Sequence, residues 1–539
     1  MKVPAIHIEE SFFQHDAQAY FDPSTHIDPG FSIDKYVRAQ GINTLVEGIR
    51  GTGKTHILKM ISTRFIERFD ELRVLPVYVS MAEVSEFVSK EADLFRVHLY
   101  STLILRTIEN IKNNRGIWES RKAGVKQLFI GIAKMFGFME NSDFDTLITE
   151  LERHAEELQR EILYNPTKIS ELAKSSDGLN LTAGHGGVSV GVQGNTENSI
   201  SVEYLTVKLS HLNASQFLSQ FYKYMNQIFG LRHTVLLIDE CSDLPNDAQT
   251  EVFRFFKFIR GGTRIDNSRN YLYFIGGVYP PQATNYPSKS LGGEFDFEPG
   301  DDCSVEYLEL DIQLDNYEEF FRKLTTQKMT AFDARLSTGV LDIFEEERAF
   351  VLAAYAAHGL PRRYFEILHH AYENLVDYVN SISGVDSKVY KMRFTDVASS
   401  IEKIVTSNIL NTRRLPKEDF ATLEAIIAAL TRRNRKVETE SATKEKHVPI
   451  NFYFNCPRSK EEIIGNLISK GVLHNQARTR TLKHTVEGMS GKGLVIMVDL
   501  AVSYSQGIIP NKTKVIEVLQ RDTKLSAKNG YEYCQTISF

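Results

Sequence analysis

The sequence predicts an α/β fold: a three-layer core built on a parallel sheet, an α-helical segment after it, and a smaller α+β domain at the C-terminal end. Three observations predict it. Residues 42–47 are short, apolar and β-favouring, and they run into a glycine-rich loop and then into helical spacing. Residues 234–240 form a continuous aliphatic run of the kind buried in a parallel sheet, ending in two carboxylates. From residue 316 to about 411, apolar residues recur at three- and four-residue steps. The expected division is a core over 1–310 with an inserted segment at about 85–210, a helical domain over 311–410, and a basic α+β domain over 411–539.

A chain of 539 residues exceeds what one hydrophobic core supports, so about two to four units are expected. With 42% hydrophobic and 24% charged residues the composition is that of a globular protein, which excludes wholesale disorder. No apolar stretch approaches the roughly twenty residues needed to cross a bilayer, and MKVPAIHIEE lacks the apolar core of a secretory signal. The cytoplasm is therefore the expected location, with no membrane partner. Cys241, Cys303, Cys456 and Cys534 form no CxxC pair, which argues against zinc or a redox couple and for free thiols. The formal net charge of −6 is unevenly spread, since residues 411–539 hold 21 Lys+Arg against 13 Asp+Glu. Such a basic segment either meets an anionic partner or is a solvated surface.

The glycine loop reads GIRGTGKT, with His56 opening the helical run behind it. Glycines let the backbone wrap closely round a polyphosphate, aiming several N–H groups and a helix N-terminus at its negative charge. The candidate nucleotide-binding residues are Gly48, Arg50, Gly51, Thr52, Gly53, Lys54, Thr55 and His56. Lys54 is expected to reach the β- and γ-phosphates, and the Thr55 hydroxyl to coordinate Mg2+. Such a string also arises by chance, but the strand before it and the helix after it are the context the chemistry requires.

The other half of such a site is an apolar strand ending in acid, and VLLIDE supplies it. Asp239 is the expected second Mg2+ ligand, with Thr55, and Glu240 is placed to polarise an attacking water. Lys54 and Glu240 are thus catalytic candidates, and ATP and Mg2+ the expected cofactors.

Some 185 positions separate Lys54 from Asp239, far more than a minimal nucleotide core requires. The inserted candidates are helical segments at 92–113 and 143–163, then a hairpin over 179–194, where Val188, Val190 and Val192 alternate and Gly184, Gly186 and Gly187 supply a turn. Residues 271–279 read as the next parallel strand. It exits through Gly276 and Gly277 with no Asn, Ser or Thr at its end; in the AAA+ proteins, which this order of parts resembles, that position usually carries a polar γ-phosphate sensor, so here the sensor is replaced by Tyr279 or by backbone, or is absent. Before it, Arg260, Arg264 and Arg269 are either arginine fingers offered to a neighbouring subunit's ATP or surface arginines on a solvated turn. A helical lid follows, with helices expected at 317–328, 344–357, 362–380 and 396–408. Its third helix opens with GLPRR, where Gly359 suits the bend and Pro361 the first turn. Arg362 there is the third catalytic candidate, placed to touch the γ-phosphate.

This order of parts resembles the AAA+ ATPases of the origin-recognition-complex initiator branch, and it is similar also to the signal-transducing STAND ATPases, whose lid carries a Gly-x-Pro turn. The resemblance covers roughly residues 20–410 and rests on GIRGTGKT, VLLIDE and GLPRR. It departs from the family in the sensor strand and the long insertion. It implies a P-loop ATPase, Arg362 as second sensor, and a homo-oligomer. Bacterial members that look like this imply a mobile-element or anti-phage setting, with an effector protein encoded separately. Initiator-type proteins also end in a winged-helix domain. A partial match is a helix at 419–433, a strand at 450–455, a helix at 459–470, and a hairpin of 479–485 and 494–500 around a turn at 488–493, with one helix of the pattern not visible. Arg478, Arg480, Lys483 and Lys492 line that wing as candidate phosphate contacts to double-stranded DNA. Three readings stay open: a DNA-associated protein, ATP-driven or ATP-gated, acting as a switch or motor; a STAND-like switch that oligomerises on ATP and senses a protein; and a regulator that binds nucleotide but hydrolyses little.

Overall fold

The computed structural model describes residues 8, 10–13, 17–28, 32–37, 41–85, 92–119, 126–136, 144–175, 197–210, 214–262, 264–265, 269–281, 283–332, 339–382, 389–411, 413, 415–441, 447–457, 460–481, 492–524 and 535–536. The chain divides into two compact units, one of residues 33–47 and 57–307, the other of residues 1–32, 48–56 and 308–539.

The first of these is built on a five-stranded parallel sheet. Its strands are β1 (Thr44–Glu47), β2 (Val74–Ser80), β3 (His233–Asp239), β4 (Leu272–Val278) and β5 (Ser304–Tyr307), in the order β2-β3-β4-β1-β5. Every residue of β1 and β3 is buried, so both faces of the sheet must be covered. The helices against it include α1 (Lys54–Glu67), α2 (Ala92–Asn113), α4 (Ala214–Phe229) and α5 (Asn246–Gly262), and α3 (Phe144–Tyr164) packs on α2. Two glycines of β4 show the layers directly, because consecutive strand residues point to opposite faces. A Cβ on Gly276 would meet the Phe256 ring of α5 at 3.0 Å, whereas one on Gly277 would meet Leu58 of α1 at 3.5 Å. Helices therefore lie on both sides of the sheet, the three-layer arrangement of the predicted α/β class.

The inserted helices α2 and α3 fall where periodicity places them. They pack on each other through residues such as Leu103, Ile104, Leu147 and Leu151 and are tied by Lys112 to Glu152 at 2.6 Å. Arg96 of α2 forms a buried pair with Glu251 of α5 at 3.0 Å. The expected hairpin over 179–194 lies outside the described residues.

The other unit holds the helices α6 (Tyr317–Phe332), α7 (Glu347–Ala356), α8 (Pro361–Ser381), α9 (Phe394–Ile404) and α10 (Lys417–Ser441). It continues through β6 (Tyr453–Pro457), α11 (Glu461–Ser469), β7 (Leu473–Thr481), β8 (Lys492–Val498), α12 (Leu500–Ser505) and β9 (Gln535–Thr536). Strands β6, β7 and β8 pair antiparallel and β9 adds in parallel, in the order β9-β6-β8-β7. One hydrophobic cluster runs from Tyr317 and Phe350 through Leu368 to Val472, Met497 and Leu519, so the helices and the α+β part share a core. Several expected boundaries move, two of them the most. Helix α10 extends well beyond 419–433, and the first hairpin strand begins at Leu473 rather than 479, because Leu473 and His474 are buried. The expected turn at 488–493 lies outside the described residues as far as 491.

Among the described residues no helix is long and apolar enough to cross a membrane. Cys241, Cys303 and Cys456 are buried and unbridged.

Candidate functional site

The glycine loop follows β1 directly and ends in the first turn of α1. Gly51 and Gly53 take φ of +96° and +94°, in the left-handed region that costs an ordinary residue about 1–2 kcal/mol. At Gly48 a Cβ would fall 2.6 Å from the Thr52 hydroxyl, which itself donates to the Ile49 carbonyl at 3.0 Å. The buried Lys54 Nζ donates to the Gly48 and Ile49 carbonyls at 2.6 and 3.1 Å, so its ammonium lies over the loop. Thr55 is half-buried one residue into the helix, and Arg50 is exposed at the loop's tip. His56 stacks on His26 at 5.3 Å and meets Phe21 edge-on at 5.3 Å. Those three rings pack together beside the loop. Phe21 and His26 belong to no motif, so their place there was not legible in the sequence.

The start of α8 also meets this loop. The Arg362 N–H donates to the Gly51 carbonyl at 3.3 Å, and a Cβ on Gly51 would lie 3.2 Å from the Arg362 Cβ. Pro361 begins the helix as the sequence predicts, and the bend before it uses two left-handed residues, His358 (φ +49°) and Gly359 (φ +74°). Gly359 has no alternative, because a Cβ there would sit 2.6 Å from the Leu310 carbonyl oxygen.

The acidic end belongs to the sheet unit. Val79, Ile238, Gly276, Leu45 and Val305 lie in one row across the five strands, so Ser80, Asp239, Gly277, Val46 and Glu306 follow together at the carboxyl edge. Asp239 is fully buried. Its Oδ1 accepts the Glu240 N–H at 2.9 Å and its Oδ2 accepts the Tyr78 hydroxyl at 3.2 Å. Burial, then the Asp239 charge, push the Tyr78 hydroxyl far above its ordinary value, which keeps it a donor. Glu240 adopts φ +59°, rare for a residue with a side chain, and its carboxylate accepts the Ser80 hydroxyl at 2.5 Å. Tyr78 and Ser80 were missed in the sequence; the signal was the polar alternation at the end of VLPVYVS.

Beyond β4, Tyr279 does not replace the missing sensor with a free hydroxyl. Its OH donates to Asp243 at 2.9 Å and its N–H to Ser242 Oγ at 2.8 Å, while Thr284 donates back to the Tyr279 carbonyl at 2.7 Å. Arg260 sits in the last turn of α5, paired at 2.5 Å with Asp302, which Lys257 also holds at 2.7 Å. Burial opposes ionisation of Asp302, but Lys257, the Glu298 N–H and Arg260 outweigh it and hold that carboxyl low. Arg264 and Arg269 lie in a two-residue antiparallel ribbon. Arg478 and Arg480 are strand positions of β7 and Lys492 opens β8 opposite Thr481, whereas Lys483 lies outside the described residues.

No family model matches the chain, and no curated protein matches it. Two solved structures from Aeropyrum pernix align along most of its length. The ORC1 protein in complex with DNA aligns over 90% of this chain and 92% of its own, at 15% identity and a TM-score of 0.31. The ORC2 protein in ADPNP–ADP complexes aligns over 97% and 99%, at 11% identity and a TM-score of 0.40. At such scores the function rests on the residues of this chain.

Proposed function

We propose that the chain is an ATP-binding and ATP-hydrolysing AAA+ protein of the origin-recognition-complex type, acting as a nucleotide-dependent switch on double-stranded DNA. Lys54 and the loop N–H groups bind the phosphates, Thr55 and Asp239 hold Mg2+, Glu240 orients the attacking water, and Arg362 reads the γ-phosphate. The donor set suits Mg2+, because a hydroxyl and a carboxylate leave the remaining octahedral positions to phosphate and water oxygens. The observation that carries the reading is the seating of the Arg362 turn on the glycine loop through Gly51. The sheet supports it, since β1 and β3 end at the same edge with one strand between them and the loop follows β1 without a break. Homo-oligomerisation, with an arginine from Arg260, Arg264 or Arg269 of the next subunit, belongs to the same proposal. So do a separately encoded effector and a mobile-element or anti-phage setting.

A fluorescent ATP analogue tests it. Lys54→Ala is expected to weaken Mg2+-dependent binding at least about tenfold, or 1.4 kcal/mol. Glu240→Gln should keep the affinity and lose turnover. Unchanged binding by Lys54→Ala sinks the proposal. The tethered Tyr279 favours a second reading, a nucleotide-binding regulator with little hydrolysis, in which wild type and Glu240→Gln turn over equally slowly.

A further inference from the structure

A second assembly of ionisable side chains is buried one residue along from Arg362. Arg363 forms an ion pair with Asp499 and donates to the Gly471 carbonyl at 3.3 Å. His474 places Nε2 3.2 Å from Asp499 Oδ2 and Nδ1 3.7 Å from Glu309. The Leu500 N–H donates to His358 Nδ1 at 3.1 Å, and the two imidazoles stack at 3.6 Å with 12° between their planes. Asp499 Oδ1 caps α12 through the Ala501 and Val502 N–H groups at 3.0 and 3.2 Å. His358, His474 and Asp499 bring a ligand-type atom each within 4.8 Å of one another, yet the cluster is not built for a metal. Parallel rings aim their lone pairs side by side rather than at one point, His358 Nδ1 is already an acceptor, and a guanidinium occupies Asp499.

What the cluster joins is more telling. Arg362 and Arg363 are consecutive in one helical turn, about 100° apart round the axis, so one meets the glycine loop while the other meets the Asp499 cap and, through Asp499, His474 of β7. Gly471, two residues before β7, sits between both: a Cβ there would lie 3.0 Å from Ile49 of the loop and 3.6 Å from the Arg363 guanidinium. The turn is over-determined by the two left-handed residues before it.

We propose that Arg363 and Asp499 are positioning residues: their buried ion pair fixes the turn that aims Arg362, and it links nucleotide in the glycine loop to strand β7, which carries Arg478 and Arg480. The link rests on the ATP-binding reading above. By reciprocity, whatever binds β7 changes nucleotide affinity by the same factor as nucleotide changes affinity at β7.

The test uses the full chain, with the fluorescent ATP analogue and amide hydrogen exchange at 473–481 and 500–505. In wild type, saturating ATP·Mg2+ changes exchange there at least about fivefold, within the usual range of coupling between sites. Asp499→Asn, which keeps volume and capping ability, and Arg363→Gln each bring that response to within about twofold of none, and the double variant loses no more than either single one. Arg363→Lys, with the buried cation retained, guards against a variant that merely fails to fold; it still binds nucleotide and shows a reduced response. Variants that bind ATP and keep the wild-type response overturn the link and leave the ATP reading intact. A wild type that binds no ATP removes both.

Discussion

Gly276 and Gly277 are neighbours with opposite duties. A Cβ on Gly277 would fall 2.7 Å from Asp239 Oδ1, so Gly277→Ala must push the carboxylate out of its place between the Glu240 N–H and Tyr78. Its φ is not in the left-handed region, so the backbone itself is not strained. On the proposed ATPase reading, the expected result is a folded protein whose Mg2+-dependent turnover falls about tenfold, a loss near 1.4 kcal/mol of transition-state stabilisation. Gly276→Ala instead meets Phe256 at 3.0 Å and Leu45 at 3.1 Å, an overpacking that costs about 1–3 kcal/mol of stability. Melting temperature and turnover, measured on both variants, should separate them; a Gly277→Ala enzyme with wild-type turnover would show that the carboxylate tolerates displacement. The sequence announced these glycines only as a missing sensor. Their positive use, leaving room for an aspartate on the neighbouring strand β3, depends on a register that no local pattern encodes.

At the scale of elements, legibility followed burial. Strands β1, β3 and β4 were readable because a strand covered on both faces becomes a continuous apolar run, and the helices α6 to α9 because their apolar residues repeat at helical spacing. Strand β2 was not, since Pro76 argues against a strand; the sheet admits it because β2 is an edge, as is the short and half-exposed β5. The cluster at the start of α8 was invisible because Arg363 and Asp499 are 136 positions apart. Its charges can be tested by stability. Asp499→Ala leaves the Arg363 guanidinium buried without a counter-charge, which should cost about 3–5 kcal/mol in urea unfolding. The pH dependence has a definite sign. Burial alone would lower His474, but Asp499 and Glu309 outweigh it and raise its pKa, while burial, then the neighbouring His474 and Arg363, drive His358 well below its ordinary value against the pull of Asp499. A raised histidine stabilises fully below its unfolded pKa and loses that contribution as pH rises through the folded one. His474→Gln should therefore destabilise the protein more at about pH 6 than at about pH 9. An equal loss at both would mean that His474 is uncharged in the folded state.

For the whole molecule, charge is the property that separates the readings of function. The formal net charge of −6 comprises a C-terminal segment, 411–539, with 21 basic against 13 acidic residues, and an acidic remainder. An acidic body repels nucleic acid at a distance, so on the DNA-binding reading the basic segment is where an electrostatic contact is expected. Each phosphate neutralised by Lys or Arg contributes about −0.9 to the slope of log K against log salt on duplex DNA. If Arg478, Arg480 and Lys483 each hold one phosphate, replacing all three by alanine should flatten the slope by roughly three units and weaken binding alike on every sequence, because phosphate contacts position without specifying. Titration of a labelled duplex at several salt concentrations measures it, with ATP present and absent. A slope unchanged in the triple variant would remove these three residues from the interface. Binding absent throughout, together with a rise in particle mass on adding ATP alone, would favour the STAND-like switch, whose ligand is a protein and whose basic segment is only a solvated surface.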